Sequence, residues 1–195
     1  MANRVRTPSK DIERILVDAA EAVLVRDGLD GVTVRAVAAE ARVALAGVYN
    51  RFGGKEGLER ELLIRGFDAL RAEVAAPDDP DPIARLRAAA ASYRRFAIEH
   101  PQHYSIMFAA SVGKHFANEA VQDSAGRAFG ELVLHIGYAI GRGTIVGGDP
   151  AELAQQVWSA LHGAVSLELN GAMRSPDPEG SYASMVDLII RGLRG

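Results

Sequence analysis

The chain has 195 residues, of which 48% are hydrophobic and 24% charged, and its formal net charge is −3. That length buries one good core, or a small domain beside a larger one. The absence of cysteine excludes a disulfide framework and a cysteine–zinc site, and the slightly acidic total excludes nucleic-acid coating by bulk charge, so any such binding must be local. Met1 to Lys10 is polar with no apolar run behind it, which argues against a secretion signal. No apolar stretch is long enough to span a bilayer. The expectation is a soluble cytoplasmic protein.

Residues 1–9 carry Arg4, Arg6, Thr7 and Pro8 and read as a polar arm, either laid along phosphates or frayed. Ser9 caps a first helix whose apolar stripe is Ile12, Ile15, Leu16, Ala19 and Val23, with Gly28 following its last turn. Leu29 and Val32 are expected to fold back onto a small core. Thr33 is a plausible N-cap for a second helix running to about Ala41, in which Val34, Val37, Ala38 and Ala41 share one face. Arg42-Val43-Ala44 is a turn, with Val43 as its plug. A third helix follows from about Ala44 to Arg51, with Val48 and Phe52 inward and Leu45, Gly47, Tyr49 and Asn50 left to solvent. Gly53-Gly54 stops it and Lys55 opens the next. Two short helices joined by a three-residue turn form the helix-turn-helix pattern, whose second helix enters the DNA major groove. The charge agrees with this. Between Thr33 and Lys55 the bases are Arg35, Arg42, Arg51 and Lys55, and the only acid is Glu40.

Gly28, Thr33, Tyr49, Phe52 and Lys55 stand in the order and spacing of the DNA-binding domain of the TetR family of bacterial transcriptional regulators, which this stretch resembles. One departure is Arg42, where the family turn usually carries glycine. A glycine there suits a left-handed backbone, so Arg42 must adopt that conformation at a cost or bend the turn differently. The resemblance implies base-edge and phosphate contacts from Ala44, Leu45, Ala46, Gly47, Tyr49, Asn50 and Arg51. Tyr49 and Lys55 would hold phosphates, and Thr33 and Arg35 the flanking strand. Gly47 lets the backbone approach the groove. Leu45 and Ala46 offer only apolar contacts, so base reading rests on Asn50, Arg42 and Arg51.

The fourth helix runs from Lys55 to about Ala75 with a stripe of Leu58, Leu62, Phe67, Leu70 and Val74. Pro77-Asp-Asp-Pro-Asp-Pro82 is the clearest break, and Asp81-Pro82 starts a fifth helix to about His100. A sixth begins near Pro101. Ser111 to Asn118 reads as a soft segment before a seventh helix that carries Val121, Phe129, Leu132, Val133, Ile136 and Ile140. Gly141 to Gly148 is glycine-rich, but no strand precedes it and no Lys-Ser or Lys-Thr closes it, so it is not read as a phosphate loop. Asp149-Pro150-Ala151-Glu152 starts an eighth helix to about Met173, apolar over more than one face, and a ninth carries Tyr182, Met185, Val186, Leu188, Ile189 and Leu193. No period-two alternation appears. The fold class is all-α, about nine helices, with a head at residues 1–56 and a ligand-binding and dimerisation body at 57–195.

Phe96-Ala-Ile-Glu-His-Pro101 with Tyr104 and Met107-Phe108, then Trp158-Ser-Ala-Leu-His162-Gly163, resembles one class of TetR-family C-terminal domain, marked by Trp, His and Gly on the eighth helix. Tyr93, Phe96, Tyr104, Met107, Phe108, Trp158 and His162 can line a cavity for a small molecule, although each is equally at home in a plain core. His100 and His103 sit three apart, but Pro101 lies between them and no acid stands at a suitable spacing. Capping or surface roles fit better than zinc, and no metal or cofactor is read. No ordering of nucleophile, base and acid argues for catalysis. The eighth and ninth helices are too apolar for one body to cover, so a homodimer through them is expected, unless they complete a monomer core. The reading is a transcriptional regulator, a repressor on double-stranded DNA with a palindromic operator, released by a small hydrophobic or aromatic effector. The alternative is a helical small-molecule-binding protein with weak or lost operator recognition.

Overall fold

The computed structural model describes residues 9–75, 79–108 and 117–195. Among them it shows nine helices and no strand: α1 Ser9–Gly31, α2 Val34–Glu40, α3 Leu45–Phe52, α4 Lys55–Val74, α5 Pro82–Glu99, α6 Pro101–Phe108, α7 Glu119–Gly141, α8 Pro150–Leu169 and α9 Pro178–Arg194. The sequence-predicted arm lies outside the described residues, apart from its last position. So do part of the break after α4 and most of the soft segment before α7. None of the helices is long and apolar enough to cross a membrane.

The helix starts follow local chemistry. Thr33 is the N-cap of α2 and its hydroxyl accepts from the Ala36 N–H at 3.1 Å. Asp81, Asn118, Asp149 and Asp177 cap α5, α7, α8 and α9 through their side-chain oxygens, three of them ahead of a proline in the first turn. One ending agrees with expectation and one differs. α1 breaks at Gly28 as expected, with φ 72° and ψ −176° that are not helical, before the turn to Gly31. α8 stops at Leu169 and not near Met173. There Gly171 takes φ 65°, and Gly171 N–H and Ala172 N–H bond back to the Glu168 and Leu167 carbonyls. That pair of bonds is a Schellman motif, which ends a helix whatever apolar residues follow.

The chain folds as two compact units. One holds the described residues up to Gly66 together with those of Gln102–Val121; the other holds Phe67–Pro101 and Gln122–Gly195. In the first, α1 packs on α2 and α2 on α3. Leu16, Val23, Leu24, Val32, Val37, Val48, Leu58 and Leu62 are fully buried there, each worth about 1.5–3 kcal/mol of removal from water. Ile15 is a correction: it is 39% exposed, because Ala20 and Leu24 turn the buried stripe of α1 past it. Within this unit His103 is also buried, and its Nε2 lies 3.0 Å from Oε1 of Glu21, a carboxylate that also receives Arg65. Its sequence-predicted surface role does not hold, since α1 supplies the acid that neighbouring sequence lacked.

In the second unit α5, α8 and α9 pack on one another. Tyr182 donates to the Ala90 carbonyl at 2.9 Å, and Arg94 makes a two-pronged bond to Glu168 at 2.7 and 2.9 Å. Arg71 reaches Glu131, while Ser124 and Arg127 both reach Asp68. The loop after α7 is pinned where Val146 N–H meets the Leu193 carbonyl at 2.7 Å. Leu167 and Leu188, placed on the apolar faces of α8 and α9, are 51% and 60% exposed.

Candidate nucleic-acid interface

α2, the turn and α3 form the helix-turn-helix. The turn is a second Schellman motif: Arg42 N–H bonds to the Ala39 carbonyl and Val43 N–H to the Ala38 carbonyl. Arg42 occupies its left-handed position at φ 54°, the only non-glycine residue with positive φ among the described residues. The backbone therefore keeps the turn that a glycine would give, and Arg42 bears a cost of about 1–2 kcal/mol for it. Val43 is half-buried beneath the turn.

α3 begins one residue later than the sequence suggests. Ala44 is its N-cap and makes no side-chain cap bond, a loss of about 1 kcal/mol against serine or threonine. Val48 and Phe52 face inward and are buried, while Ala44, Leu45, Ala46, Tyr49 and Asn50 are exposed. A Cβ built on Gly47 meets nothing within 4 Å. The fold thus has room for a side chain there, and mid-helix glycine costs about 1 kcal/mol against alanine. Gly53 closes α3 at φ 72°. Gly57, at the start of α4, is required by close approach: a Cβ would fall 1.8 Å from the Phe52 carbonyl oxygen.

Three of the four cations around α3 form no ion pair among the described residues: Arg35 and Arg42 are exposed and Arg51 is half-buried, whereas Lys55 pairs with Glu59 and the other pairs of this unit fall on Arg26, Arg65 and His103. Among the described residues Arg51 reaches only the Gly47 carbonyl at 3.4 Å, and its Nε is buried without a hydrogen-bond partner. Lys55 sits 3.5 Å from the Leu29 carbonyl and 3.7 Å from Glu59. Glu40, the single acid of the stretch, is held by Arg26 at 2.8 Å. The sequence does not announce that neutralisation, because Arg26 lies fourteen residues upstream on α1.

The other sequence-predicted site residues fall in two places. Tyr104, Met107 and Phe108 lie on α6 in the first unit, where Tyr104 and Phe108 rings stand 4.8 Å apart and Met107 Sδ approaches Gly66. Tyr93, Phe96, Trp158 and His162 lie in the second. There Trp158 Nε1–H donates to the Tyr93 hydroxyl oxygen at 3.2 Å, and that hydroxyl meets His162 Nδ1 at 3.1 Å. Burial pushes the His162 imidazole below its ordinary range. Ser166, one turn on, faces His162 Nε2 at 3.4 Å; the four-residue spacing was its signal. Phe96 is buried against the His100 ring.

Comparison with known proteins agrees with this geometry. A family model described as bacterial regulatory proteins, tetR family, matches residues 16–62, and one described as tetracyclin repressor-like, C-terminal domain, matches residues 86–189. An uncharacterised HTH-type transcriptional regulator of Mycobacterium tuberculosis is 28% identical over 97% of this chain and 84% of its own length. A solved structure from a Rhodococcus species, of a protein with unknown function, superposes with a TM-score of 0.84 at 25% identity and covers 100% of both chains. The TetR family transcriptional regulator PfmR from Thermus thermophilus shares the fold at a TM-score of 0.63 and 23% identity, over 93% of this chain and 100% of its own.

Proposed function

The chain belongs to the TetR family of bacterial transcriptional regulators, and from that premise we propose that it is a repressor binding a palindromic operator as a homodimer and released by a small hydrophobic or aromatic effector. It is a helix-turn-helix DNA-binding protein and not an enzyme. The observation that carries the proposal is the surface around α3: Arg35, Arg42 and Arg51 without acidic partners among the described residues, Lys55 held only loosely by Glu59 at 3.7 Å, one acid already neutralised, and a helix whose outward face is exposed. A duplex supplies the missing anions. Tyr49 at 55% exposure and Lys55 are the phosphate contacts, with Thr33 and Arg35 on the flanking strand. Arg42 and Arg51 flank the groove, and Asn50 faces base edges.

Dimerisation through α8 and α9 is supported by Leu167 and Leu188, apolar side chains that one copy leaves in water. Two identical patches around a two-fold axis would cover them and set two heads to read two half-sites. For the effector, Tyr93, Trp158 and His162 are the polar handles and Phe96 the apolar neighbour within the second unit. An effector releases DNA only if it favours a conformation that binds the operator less well. The protein acts in the cytoplasm. The alternative of weak or lost operator recognition took Arg42 as its warning; that Arg42 adopts the left-handed conformation supports the operator-binding reading.

The test is to enrich duplexes from a random pool with the full-length protein. A palindrome is expected, with a dimer in solution. Tyr49→Phe combined with Lys55→Ala should weaken binding about 10–100-fold across all sequences and lower the salt slope by about one to two. Unchanged binding by that double variant, or a monomer that ignores duplex DNA in dilute buffer, refutes the proposal.

A further inference from the structure

The first turn of α3 gives up stability at three neighbouring positions, and each concession removes bulk or polarity. Ala44 stands at the N-cap and supplies no cap bond, although Thr33, Asp81, Asp149 and Asp177 all do so elsewhere. Leu45 leaves 44% of its surface in water. Gly47 is glycine where an added Cβ would touch nothing in the protein. A single exposed leucine needs no explanation. Three such choices within four residues, next to an exposed Ala46, make a low and wholly apolar surface that the interior does not require.

The charge of the same stretch says what covers this surface. Arg35, Arg42, Arg51 and Lys55 flank it along the helix-turn-helix, Glu40 is tied to Arg26, and Lys55 is 3.7 Å from Glu59. An apolar surface flanked by cations fits a polyanion that carries an apolar group in its groove. In the DNA major groove that group is the C5-methyl of thymine; guanine, cytosine and adenine present only donors and acceptors there. From this we propose that the Leu45–Ala46–Gly47 surface is a thymine-methyl reader, so that each operator half-site carries thymine opposite it. Leu45 supplies the methyl contact, and Gly47 lets the helix lie close enough to make it. The inference rests on the operator-binding reading and adds the identity of a base to it.

The probe is the duplex enriched by the full-length protein, with its thymines replaced one at a time by uracil. Uracil keeps pairing with adenine and lacks only the methyl. Affinity should fall about fourfold, the worth of one buried methyl group, at one or two symmetry-related positions per half-site and stay level elsewhere. Leu45→Ala should bind thymine and uracil duplexes alike at that position; its melting temperature, read alongside, separates that loss of discrimination from a loss of fold, since part of Leu45 is covered by the protein. If every thymine tolerates uracil while the enriched duplex still binds specifically, the thymine assignment falls and operator binding stands. If no duplex is enriched, both fall together.

Discussion

Among the described residues the same helix ending occurs three times, once in the helix-turn-helix and twice in the body, and it is built from different residues in the two places. After α7, Gly143 sits at φ 65° and the Gly143 and Thr144 N–H groups bond to the Ile140 and Ala139 carbonyls. After α8, Gly171 at φ 65° does the same with Glu168 and Leu167. After α2 the left-handed position holds Arg42 at φ 54°. Hydrogen bonding is alike in all three, so the difference is in side chain alone. The body uses the residue that costs least, whereas the head carries a charged side chain with no acidic partner among the described residues. The contrast extends to other polar groups. In the body, Arg94, Arg71 and Arg127 close on Glu168, Glu131 and Asp68. Around α3, Arg51 Nε has no partner among the described residues. Under the proposed reading, residues that look like faults in the fold concentrate where the protein would meet DNA.

Arg42→Gly is the sharpest way to break this comparison. Removing the left-handed arginine should stabilise the protein by about 1–2 kcal/mol, read as a higher denaturant midpoint with an unchanged slope. The same substitution should weaken operator binding about tenfold and reduce its salt dependence by about one phosphate contact. The two effects have opposite signs, which no purely structural role for Arg42 produces. A stabilised variant that binds as well as before would show that Arg42 is merely tolerated.

The reciprocal change in the body sharpens the comparison with a smaller effect. Gly171→Ala puts a Cβ on the left-handed residue that ends α8 and should cost about 1 kcal/mol. The residue is exposed and an added Cβ meets nothing within 4 Å, so the cost is conformational and not steric. Affinity for DNA in the enriched duplex should not change at protein concentrations that keep the dimer intact. A gain in stability would mean that the turn has another low-energy form and that the three endings are not equivalent.

These contrasts also explain which parts of the structure are legible in the sequence. The head can be read nearly to the residue, because caps and three-residue turns are local: Thr33 and Gly53 each act within a few positions of themselves. Its apolar spacing places Val34, Val37 and Ala38 on one buried face. The end of α8 comes earlier than its apolar run suggests, and the reason is again local, since the turn at Gly171 outweighs that run. What cannot be read is non-local. Arg26 holding Glu40, His103 meeting Glu21, and Tyr93 joining α5 to Trp158 and His162 on α8 each bring together residues from separate helices. No periodicity encodes such pairs. The same limit leaves the aromatic residues of α5, α6 and α8 in one undivided group at the level of sequence, although α6 belongs to the first unit.

The body's closed polar groups should nevertheless respond to pH, and His162 is where the response is smallest and most diagnostic. The Tyr93 oxygen accepts the indole N–H of Trp158 and lies 3.1 Å from His162 Nδ1, where the imidazole tautomer decides which group donates. With Tyr93 donating, Nδ1 is unprotonated and the imidazole neutral, its proton on Nε2 facing Ser166. Burial pushes the pKa the same way, below the ordinary value. The unfolded chain thus takes up a proton near pH 6.5 that the folded chain still refuses. Below about that pH the unfolded state binds more protons, so stability falls as pH drops through this window, and it is flat with respect to this group above about pH 7. Comparing the melting temperature at about pH 7.5 and about pH 5.5, either side of that window, in the wild type and in His162→Gln isolates the effect, because the other histidines contribute equally to both proteins. The wild type should lose more on acidification than the variant, by less than the cost of Gly171→Ala because the ring is only half-buried. Equal losses would mean that His162 titrates as it does in water and that the Tyr93 hydrogen bond does not hold it neutral.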